Sequence, residues 1–555
     1  MKNTVKGNVQ DFSKSVSANI SRSKFYRPST HKTTFNAGDL VPLFIDEIYP
    51  GDTYQMNIQH VARTLTPIVP VMDNLEFELY AFFVPNRIVY DEWKELMGEN
   101  VDTAWTQGSA PHGVPAWGID ATTLSPQQAG KIGDYYGIPV GMDPDDHPFS
   151  VLPIRGYTSI WNEWYRNQNV QAPLTLYTDN TARAFTSGAD YNANLFKANK
   201  PFDYFTSCLP EPQKGESQLI PINLNTLIPV ITDNTDYVPN TGLALQWRDI
   251  ATSFNVVNDS TLGTDSLAPV AGGTISDGSK PSGGTQRDVS PSNLWADGRN
   301  TVISDTTIAD LREAFQIQKL YEKDARGGTR YVEYLKVHFG VDARDYRLQR
   351  PEYLGHIKSM VNINQVAQTG ETGTTPQGNV AAYSHSQGNN YMFNKSFTEH
   401  GFLHILGIAR HKKTYQQGLE RFWSRRDKLD YYHPVLAHIS EQPVYTKEIY
   451  ADATVATDEV FGYNEAWSDL RYKPNRVSGQ MRSNHASTFE EWHYADDYAS
   501  KPTLSDAWMQ DNSYTNVNRT LAIQTEDQIK LDIRFDLTTI RPLPTHSIPG
   551  LIDHF

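Results

Sequence analysis

The chain has 555 residues, of which 39% are hydrophobic and 12% aromatic, so it is long enough and apolar enough to bury a large core. Its formal net charge of −15 argues against a protein that packages nucleic acid by bulk electrostatics, because neutralising phosphates requires an excess of lysine and arginine. The single cysteine, Cys208, cannot form a disulfide within the chain, and the most apolar stretches are too short to cross a bilayer, so we expect no membrane insertion.

The first 35 residues are predicted to form a basic arm on an acidic body. Aromatic residues, among them Phe12, Phe25 and Tyr26, alternate with the charges, and Asp11 is the only carboxylate of this stretch. The cationic residues of the arm are Lys2, Lys6, Lys14, Arg22, Lys24, Arg27 and Lys32.

Residues 36–217 read as the first part of a β-rich domain with helical connections. The 30 tyrosines, 32 prolines and 36 glycines favour strands joined by long loops. Apolar residues that alternate with polar ones, followed by turn residues, predict strands. The predicted strands cover 40–49, 54–58 and 70–85, and short helices are expected within 89–98 and 158–166.

Residues 218–300 differ in amino-acid composition from the rest of the chain. Short apolar pieces give way to glycine pairs and to many serine, threonine, aspartate and proline residues. A connection this long within a compact domain is usually functional or disordered. We interpret it as an insertion displayed on the surface.

Residues 301–555 return to regular patterns. Helices are predicted over 308–326 and 330–339, and a buried strand over 402–409. The clearest alternation comes at 529–537, where five apolar residues share one face and four charged residues the other, which predicts a half-buried antiparallel strand. Strands at both ends of the chain with long connections between them favour a mainly β fold, an antiparallel jelly roll with loop insertions that contain short helices.

A series of motifs runs through most of the chain. They are HKTTFNAGDL at 31–40, PVMDNLEFELYAFFVPNR at 70–87, SIWNEWYRNQN at 159–169, DYFTSCLP at 203–210, LREAFQIQK at 311–319, DARGGTRY at 324–331, LQRPEYLG at 348–355, TYQQGL at 414–419, WSRR at 423–426, FGY at 461–463 and RYKP at 471–474. Together they resemble the major capsid protein of the microviruses, small icosahedral phages with single-stranded DNA, in their gokushovirus branch.

The resemblance implies a structural protein of the virion that is assembled in the cytoplasm of a bacterial host, with no enzymatic activity and no cofactor. It implies an eight-stranded jelly roll whose copies form a T=1 icosahedral shell around circular single-stranded DNA. The segment 218–300 would correspond to the family's protrusion at the three-fold axes, an element proposed for host attachment. The implied partners are further copies of the chain, an internal scaffolding protein, a small basic DNA-packaging protein, a minor pilot protein, the genome and a host surface receptor.

Two groups of residues are candidates for DNA contact. The basic arm could line the interior of the shell, with its aromatic residues available for base stacking, or it could be a polar terminus that is disordered or ties neighbouring subunits together. The second group is a basic and aromatic cluster within 410–428, which could contact DNA or another subunit or form a structural ion-pair network with nearby carboxylates. Its proposed contact residues are Arg421, Trp423, Arg425 and Arg426.

Catalytic and metal-binding motifs give little support to an enzyme. His400 and His404 would lie about 13 Å apart on an extended strand, at roughly 3.3 Å per residue, which is too far for one shared ion. Asp143, Asp145 and Asp146 lack the glycine and the distal glutamate of a calcium-binding EF-hand loop. A P-loop, a dinucleotide-binding glycine motif, a nucleophile elbow and a zinc-protease motif are all missing from the sequence, and we predict neither a catalytic residue nor a metal site.

Two other functions remain open at this point. A carbohydrate-binding or carbohydrate-active jelly-roll protein would suit the tyrosine and tryptophan content, although the first thirty residues lack the pattern of a secretion signal. A monomeric single-strand DNA-binding protein would need a basic groove with aromatic residues across the body, and the acidic balance disfavours it.

Overall fold

A computed structural model describes residues 21–99, 113–116, 129–142, 147–181, 194–216, 308–371, 373, 377–378 and 380–546, together with the backbone of short strands between 223 and 304. The chain divides into two compact units. The first consists of Met1–Lys214 and Glu322–Phe555, and the second of Gly215–Tyr321.

The N-terminal part of the first unit supplies five strands and three helices. The strands are β1 (Ser23–Tyr26), β2 (Ser29–Phe35), β3 (Val41–Ile48), β4 (Thr53–Thr64) and β5 (Leu75–Pro85). The helices are α1 (Trp93–Leu96), α2 (Ile132–Tyr135) and α3 (Leu152–Ile160), which continues as a π-helical turn over Trp161–Tyr165, and a 3₁₀ turn covers Asn86–Ile88.

The second unit contains short antiparallel strands. They are β6 (Asn223–Leu224), β7 (Val230–Thr232), β8 (Trp247–Asp249), β9 (Asn255–Val257), β10 (Ala268–Pro269), β11 (Ile275–Ser276), β12 (Asp288–Pro291), β13 (Leu294–Ala296) and β14 (Ile303–Ser304). Five of them form one sheet in the order β10-β11-β12-β8-β9, and the others pair as β13 with β7 and β14 with β6. The segment 218–300, predicted as a surface insertion, falls within this unit, and its place on the surface stays a prediction.

The remaining elements follow in the C-terminal part of the chain. The helices are α4 (Ile308–Gly327), α5 (Tyr331–Phe339), α6 (Thr446–Ile449), α7 (Asp506–Met509) and α8 (Ser513–Asn518). The strands are β15 (Glu352–Ala367), β16 (Val380–Ser396), β17 (Gly401–His411), β18 (Gln442–Tyr445), β19 (Val460–Asn464) and β20 (Ile529–Arg541). Turns of 3₁₀ helix cover Asp345–Leu348, Arg421–Ser424, Lys428–Asp430, Pro434–Leu436, Ser468–Leu470, Gly479–Met481 and Glu490–Trp492.

One antiparallel sheet organises the first unit. Its strand order is β1-β20-β4-β16-β15-β5-β17-β3, and β2 also pairs with β20. The sheet curls so that its two ends meet, because the ring of Phe44 on β3 lies 4.7 Å from that of Phe535 on β20. The alternating apolar side chains of β20 point into the core between these ends and are fully buried. The mainly β, jelly-roll-type fold is therefore confirmed.

A second core covers the opposite face of β5. Tyr157 and Ile160 of α3 are fully buried there beside Phe82. Because both faces of β5 are covered, its two acidic residues are buried as well, and Glu78 is compensated by Arg410 at 2.6 Å. The prediction of a strand over this stretch is confirmed, and β5 is buried on both faces.

The other predicted elements agree with the structure in type and differ in their limits. The helix predicted within 89–98 is a single turn, and the one predicted over 158–166 begins earlier, at Leu152. None of the described helices is long and apolar enough to span a membrane.

Candidate nucleic-acid interface

The second half of the predicted basic arm is part of the main sheet. β1 and β2 both pair with β20, so Lys24 and Lys32 lie on the exposed face of the sheet. Lys32 is opposite Asp532 and approaches its carboxylate to 3.4 Å. Residues 23–35 are thus strands of the first unit as well as the basic end of the arm.

Strand β20 brings further cations to the same face. Lys530 lies between Thr34 of β2 and Arg63 of β4 in the strand register. In the part of the chain that the structure describes, neither Lys530 nor Arg63 forms an ion pair, and both side chains are exposed. Like charges directly opposite on neighbouring strands destabilise a sheet. This pair therefore marks a place where an anion would stabilise the fold.

Two exposed tyrosines lie on the same face as these cations. Tyr26 of β1 donates a hydrogen bond to Asp536 at 3.0 Å, and Arg534 also donates to Asp536 at 2.9 Å. Tyr391 of β16 is opposite Asn57 of β4 and is exposed. We call this surface the basic face, and its residues are Lys24, Tyr26, Lys32, Arg63, Tyr391, Lys530 and Arg534. Its five cations exceed the three carboxylates near them, Asp134, Asp532 and Asp536.

Other residues of the arm have different surroundings. Arg27 forms an ion pair with Asp46 and donates to the hydroxyl of Tyr54 at 3.3 Å, so its charge is compensated within the subunit. Arg22 is exposed. Lys2, Lys6 and Lys14 lie outside the described residues, as does Phe12.

The second predicted cluster lines a cavity of about 640 Å³, which we call the aromatic cavity. Its walls come from residues 415–425 and 469–482, with Tyr204, Phe205 and Glu448 contributing from other parts of the first unit. Arg421, Trp423 and Arg425 all line it. Arg426 is exposed but does not line the cavity, and its backbone amide donates to Asp430 at 2.8 Å.

Two arginines of this cluster are compensated by buried or partly buried carboxylates. Arg421 donates to the carbonyl oxygen of Pro443 at 2.7 Å and approaches Glu448 to 3.4 Å. Burial raises the pKa of Glu448, and Arg421 acts in the opposite direction. Arg425 donates to Asp469 at 2.5 Å. For these two residues the ion-pair interpretation describes the observed contacts.

Three further cations line the cavity and were not among the predicted site residues. Lys473 and Arg476 both form ion pairs with Glu420, while Arg482 donates to the carbonyl oxygen of Gln416 at 3.0 Å. Desolvation acts to raise the pKa of Glu420, but the hydrogen bonds from the two cations outweigh it and leave the pKa below its ordinary value. The sequence places these cations about 50 residues after Trp423, and no spacing rule connects the two stretches.

The candidate metal ligands do not form a site in the described part of the chain. His404 is buried on β17, with its Nδ1 3.0 Å from the hydroxyl of Tyr136, whereas the ring of His400 packs against that of Trp93. Within the described ranges, no three or more histidine, cysteine, aspartate or glutamate side chains are arranged to hold a metal ion. Asp143, Asp145 and Asp146 lie outside those ranges.

Comparison with known proteins decides the family. The family model described as "Capsid protein (F protein)" matches residues 13–551. The chain belongs to this phage capsid F protein family. It is 40% identical to capsid protein VP1 of Spiroplasma virus 4, 36% identical to capsid protein VP1 of Chlamydia phage 1 and 37% identical to capsid protein VP1 of Bdellovibrio phage phiMH2K. These alignments cover 97–99% of this chain and the same shares of the relatives.

Membership in the capsid F protein family confirms the resemblance to the capsid protein of gokushovirus-type microviruses. The protein is a structural, non-enzymatic component of the virion. Its family implies self-assembly into a capsid around the genome. The carbohydrate-active and monomeric DNA-binding alternatives lose their basis, because the match covers nearly the whole chain.

Proposed function

We propose that copies of this capsid protein close a T=1 icosahedral shell around circular single-stranded DNA and that the basic face forms part of its inner wall. The pairing of Lys530 with Arg63 across neighbouring strands is the observation that supports this role most directly. Two unpaired cations at cross-strand distance, about 5 Å between their Cβ atoms, repel each other unless an anion lies between them. The phosphates of the genome would supply that anion.

The chemistry of the whole face agrees with single-strand binding. Proteins that bind single strands without sequence preference combine cations along the backbone with aromatic rings on which bases stack. Lys24, Lys32 and Arg534 extend the charge of the central pair along the sheet, and Tyr26 and Tyr391 supply exposed rings. Because the chain as a whole is acidic, we propose that the small basic packaging protein supplies most of the phosphate neutralisation.

The remaining partners belong to the same proposal. An internal scaffolding protein would guide assembly, and a minor pilot protein would share the virion. The segment 218–300 would form the protrusion that contacts a host receptor. Its inclusion in a separate compact unit agrees with such a role, since a separate unit can vary without disturbing the main sheet.

Salt dependence of DNA binding tests the basic face. The unassembled full-length subunit would be titrated with a single-stranded oligonucleotide at several salt concentrations, alongside the double variant Lys530→Gln/Arg63→Gln. Each lost phosphate contact reduces the slope of log K against log salt by about 0.7, so the double variant should lose about 1.4. The double variant Lys94→Gln/Lys319→Gln removes the same charge from exposed helical positions and should leave the slope unchanged. An unchanged slope in the first variant would reject the basic face as a DNA contact.

A further inference from the structure

The aromatic cavity has more positive charge than its own carboxylates compensate. Five cations line it, Arg421, Arg425, Lys473, Arg476 and Arg482, against the three carboxylates Glu420, Glu448 and Asp469. Glu448 and Asp469 are each committed to one arginine, and Glu420 is shared between Lys473 and Arg476. Arg482 has a neutral carbonyl as its partner. The surplus of two charges lies on the side formed by residues 473–482.

Exposed aromatic rings lie beside this surplus. Trp423 is 65% exposed, and its ring lies 4.7 Å from that of Phe422 at an angle of 35°. The ammonium group of Lys473 lies 5.4 Å from the centre of the Phe422 ring. Deeper in the cavity wall, Tyr472 is stacked on Tyr204 at 5.1 Å, which fixes its orientation. The indole of Trp423 thus presents a large apolar surface to solvent, beside the Phe422 ring over which Lys473 lies.

We infer that the aromatic cavity binds an unpaired nucleotide of the single-stranded DNA, with the base stacked on Trp423 and the phosphate held by Lys473, Arg476 and Arg482. This inference rests on the proposed interior contact with DNA and adds a second, base-dependent site to the charge-dependent basic face. Every base has a π-face, so such a site would accept any sequence. Binding of a phosphate would also relieve the competition of two cations for the single carboxylate of Glu420.

The positive charge of the cavity favours a nucleotide over a carbohydrate as its ligand. Sugars also stack on tryptophan, but their hydroxyl groups are neutral and do not compensate surplus cations. A nucleotide combines an aromatic ring with an anion, and the cavity has a complement for each part. The volume of about 640 Å³ also exceeds that of one nucleotide, which leaves room for the chain to enter and leave.

An abasic oligonucleotide tests the inference, because it keeps the phosphates and lacks the bases. The full-length subunit should bind oligothymidylate more tightly than an abasic strand of equal length, and Trp423→Ala should reduce that preference by roughly 5- to 150-fold, the range for loss of one stacked base. Trp423→Phe should retain part of the preference. Tyr346→Ala removes an exposed ring outside the cavity and should have no effect. Lys473→Gln/Arg476→Gln should weaken the binding of oligothymidylate and of the abasic oligonucleotide equally.

The outcomes separate this inference from the proposed function. An unchanged preference in Trp423→Ala would overturn the nucleotide site, while a salt slope that still depends on Lys530 and Arg63 would leave the basic face standing. If Trp423→Ala instead abolishes particle assembly and keeps the preference, the cavity is a contact between subunits and the inference is wrong. If Trp423→Ala does not fold, tryptophan fluorescence provides the test instead. Single-stranded DNA should quench the fluorescence of the unchanged protein more than that of Trp423→Phe, and equal quenching would overturn the nucleotide site.

Discussion

The imidazole Nδ1 of His31 on β2 lies 2.8 Å from the carbonyl oxygen of Leu43 on β3. Since a carbonyl only accepts, Nδ1 must carry the proton and donate. In the sheet order, β3 is the last strand at one end, and β2 pairs with β20 near the other end. The side chain of His31 is therefore one of the links between the two ends of the curled sheet, beside the contact of Phe44 with Phe535.

The first prediction concerns this link. His31→Ala removes the donor and should lower the free energy of unfolding by about 1 kcal/mol, the usual net value of one hydrogen bond. Thr33→Ala changes a neighbouring residue of the same strand and should have a smaller effect. Denaturant unfolding of the unassembled subunit measures both. Equal stability of His31→Ala and the unchanged protein would show that this hydrogen bond contributes nothing to closure of the sheet.

Acid should destabilise the subunit through its buried histidines. Burial lowers the pKa of His404 to about 3 and also lowers that of His60, while burial together with Lys413 and Arg519 lowers that of His411. The unfolded chain binds these protons near pH 6.5, so stability is complete above that pH and decreases as the pH falls toward the folded values. Each histidine contributes a slope of up to about 1.4 kcal/mol per pH unit.

His404→Gln isolates one of these contributions. Between pH 6 and 5, before most carboxylates titrate, the variant should lose stability less steeply than the unchanged protein, by up to about 1.4 kcal/mol per pH unit. His385→Gln replaces a more accessible histidine and serves as the control. Unfolding curves collected across this pH range provide the slopes. Parallel slopes for the unchanged protein and His404→Gln would mean that His404 becomes protonated in the folded state.

The backbone of α3 approaches β17 at a glycine. A Cβ atom added to Gly156 would lie 2.8 Å from Nε2 of His404, closer than such contacts occur. Because both groups are buried, Gly156→Ala should cost about 1–3 kcal/mol of stability. Gly370→Ala, at a position with open space around it, should cost far less. Thermal unfolding compares the two, and an unaffected Gly156→Ala variant would show that α3 can shift away from the sheet.

An exposed apolar segment should contribute to contacts between subunits. Val435 is 91% exposed, and Leu429, Tyr431 and Tyr432 nearby are exposed too. Contiguous apolar surface of this kind marks an interaction site in a protein that assembles. Val435→Asp should leave the subunit folded and reduce particle yield at least tenfold, whereas Val435→Thr should assemble nearly normally. Sedimentation of assembly reactions distinguishes particles from subunits, and normal yield from Val435→Asp would place this segment outside the contacts.

Strands with strong alternation could be predicted from the sequence. β20 has five apolar residues on one face at 529–537, and β17 is a continuous apolar run. The distribution of apolar residues was therefore sufficient to predict both strands. β15 and β16 are not predicted from the sequence, because asparagine and glutamine are frequent on their exposed faces and polar residues such as Ser384 and Ser386 occupy buried positions, so no alternation of apolar and polar residues marks them. β2 is not predicted as a strand either, because its polar and charged residues read as part of the basic arm.

The residues that form the candidate sites could be brought together only once the fold was known. Lys530 and Arg63 are neighbours only because β20 returns from the end of the chain to pair with β4. Trp423 and Lys473 belong to irregular segments whose meeting no local pattern predicts. Arg421 and Arg425 were recognisable as a cluster, yet only their contacts with Glu448 and Asp469 show that their charges are already compensated.

Cryo-electron microscopy of particles that contain the genome tests the central claim most directly. The account predicts closed T=1 shells with the basic face on the inner wall and ordered nucleic-acid density within ion-pair distance of Lys530 and Arg63. A shell in which this face lies on the outer surface, or is buried between subunits, would contradict it.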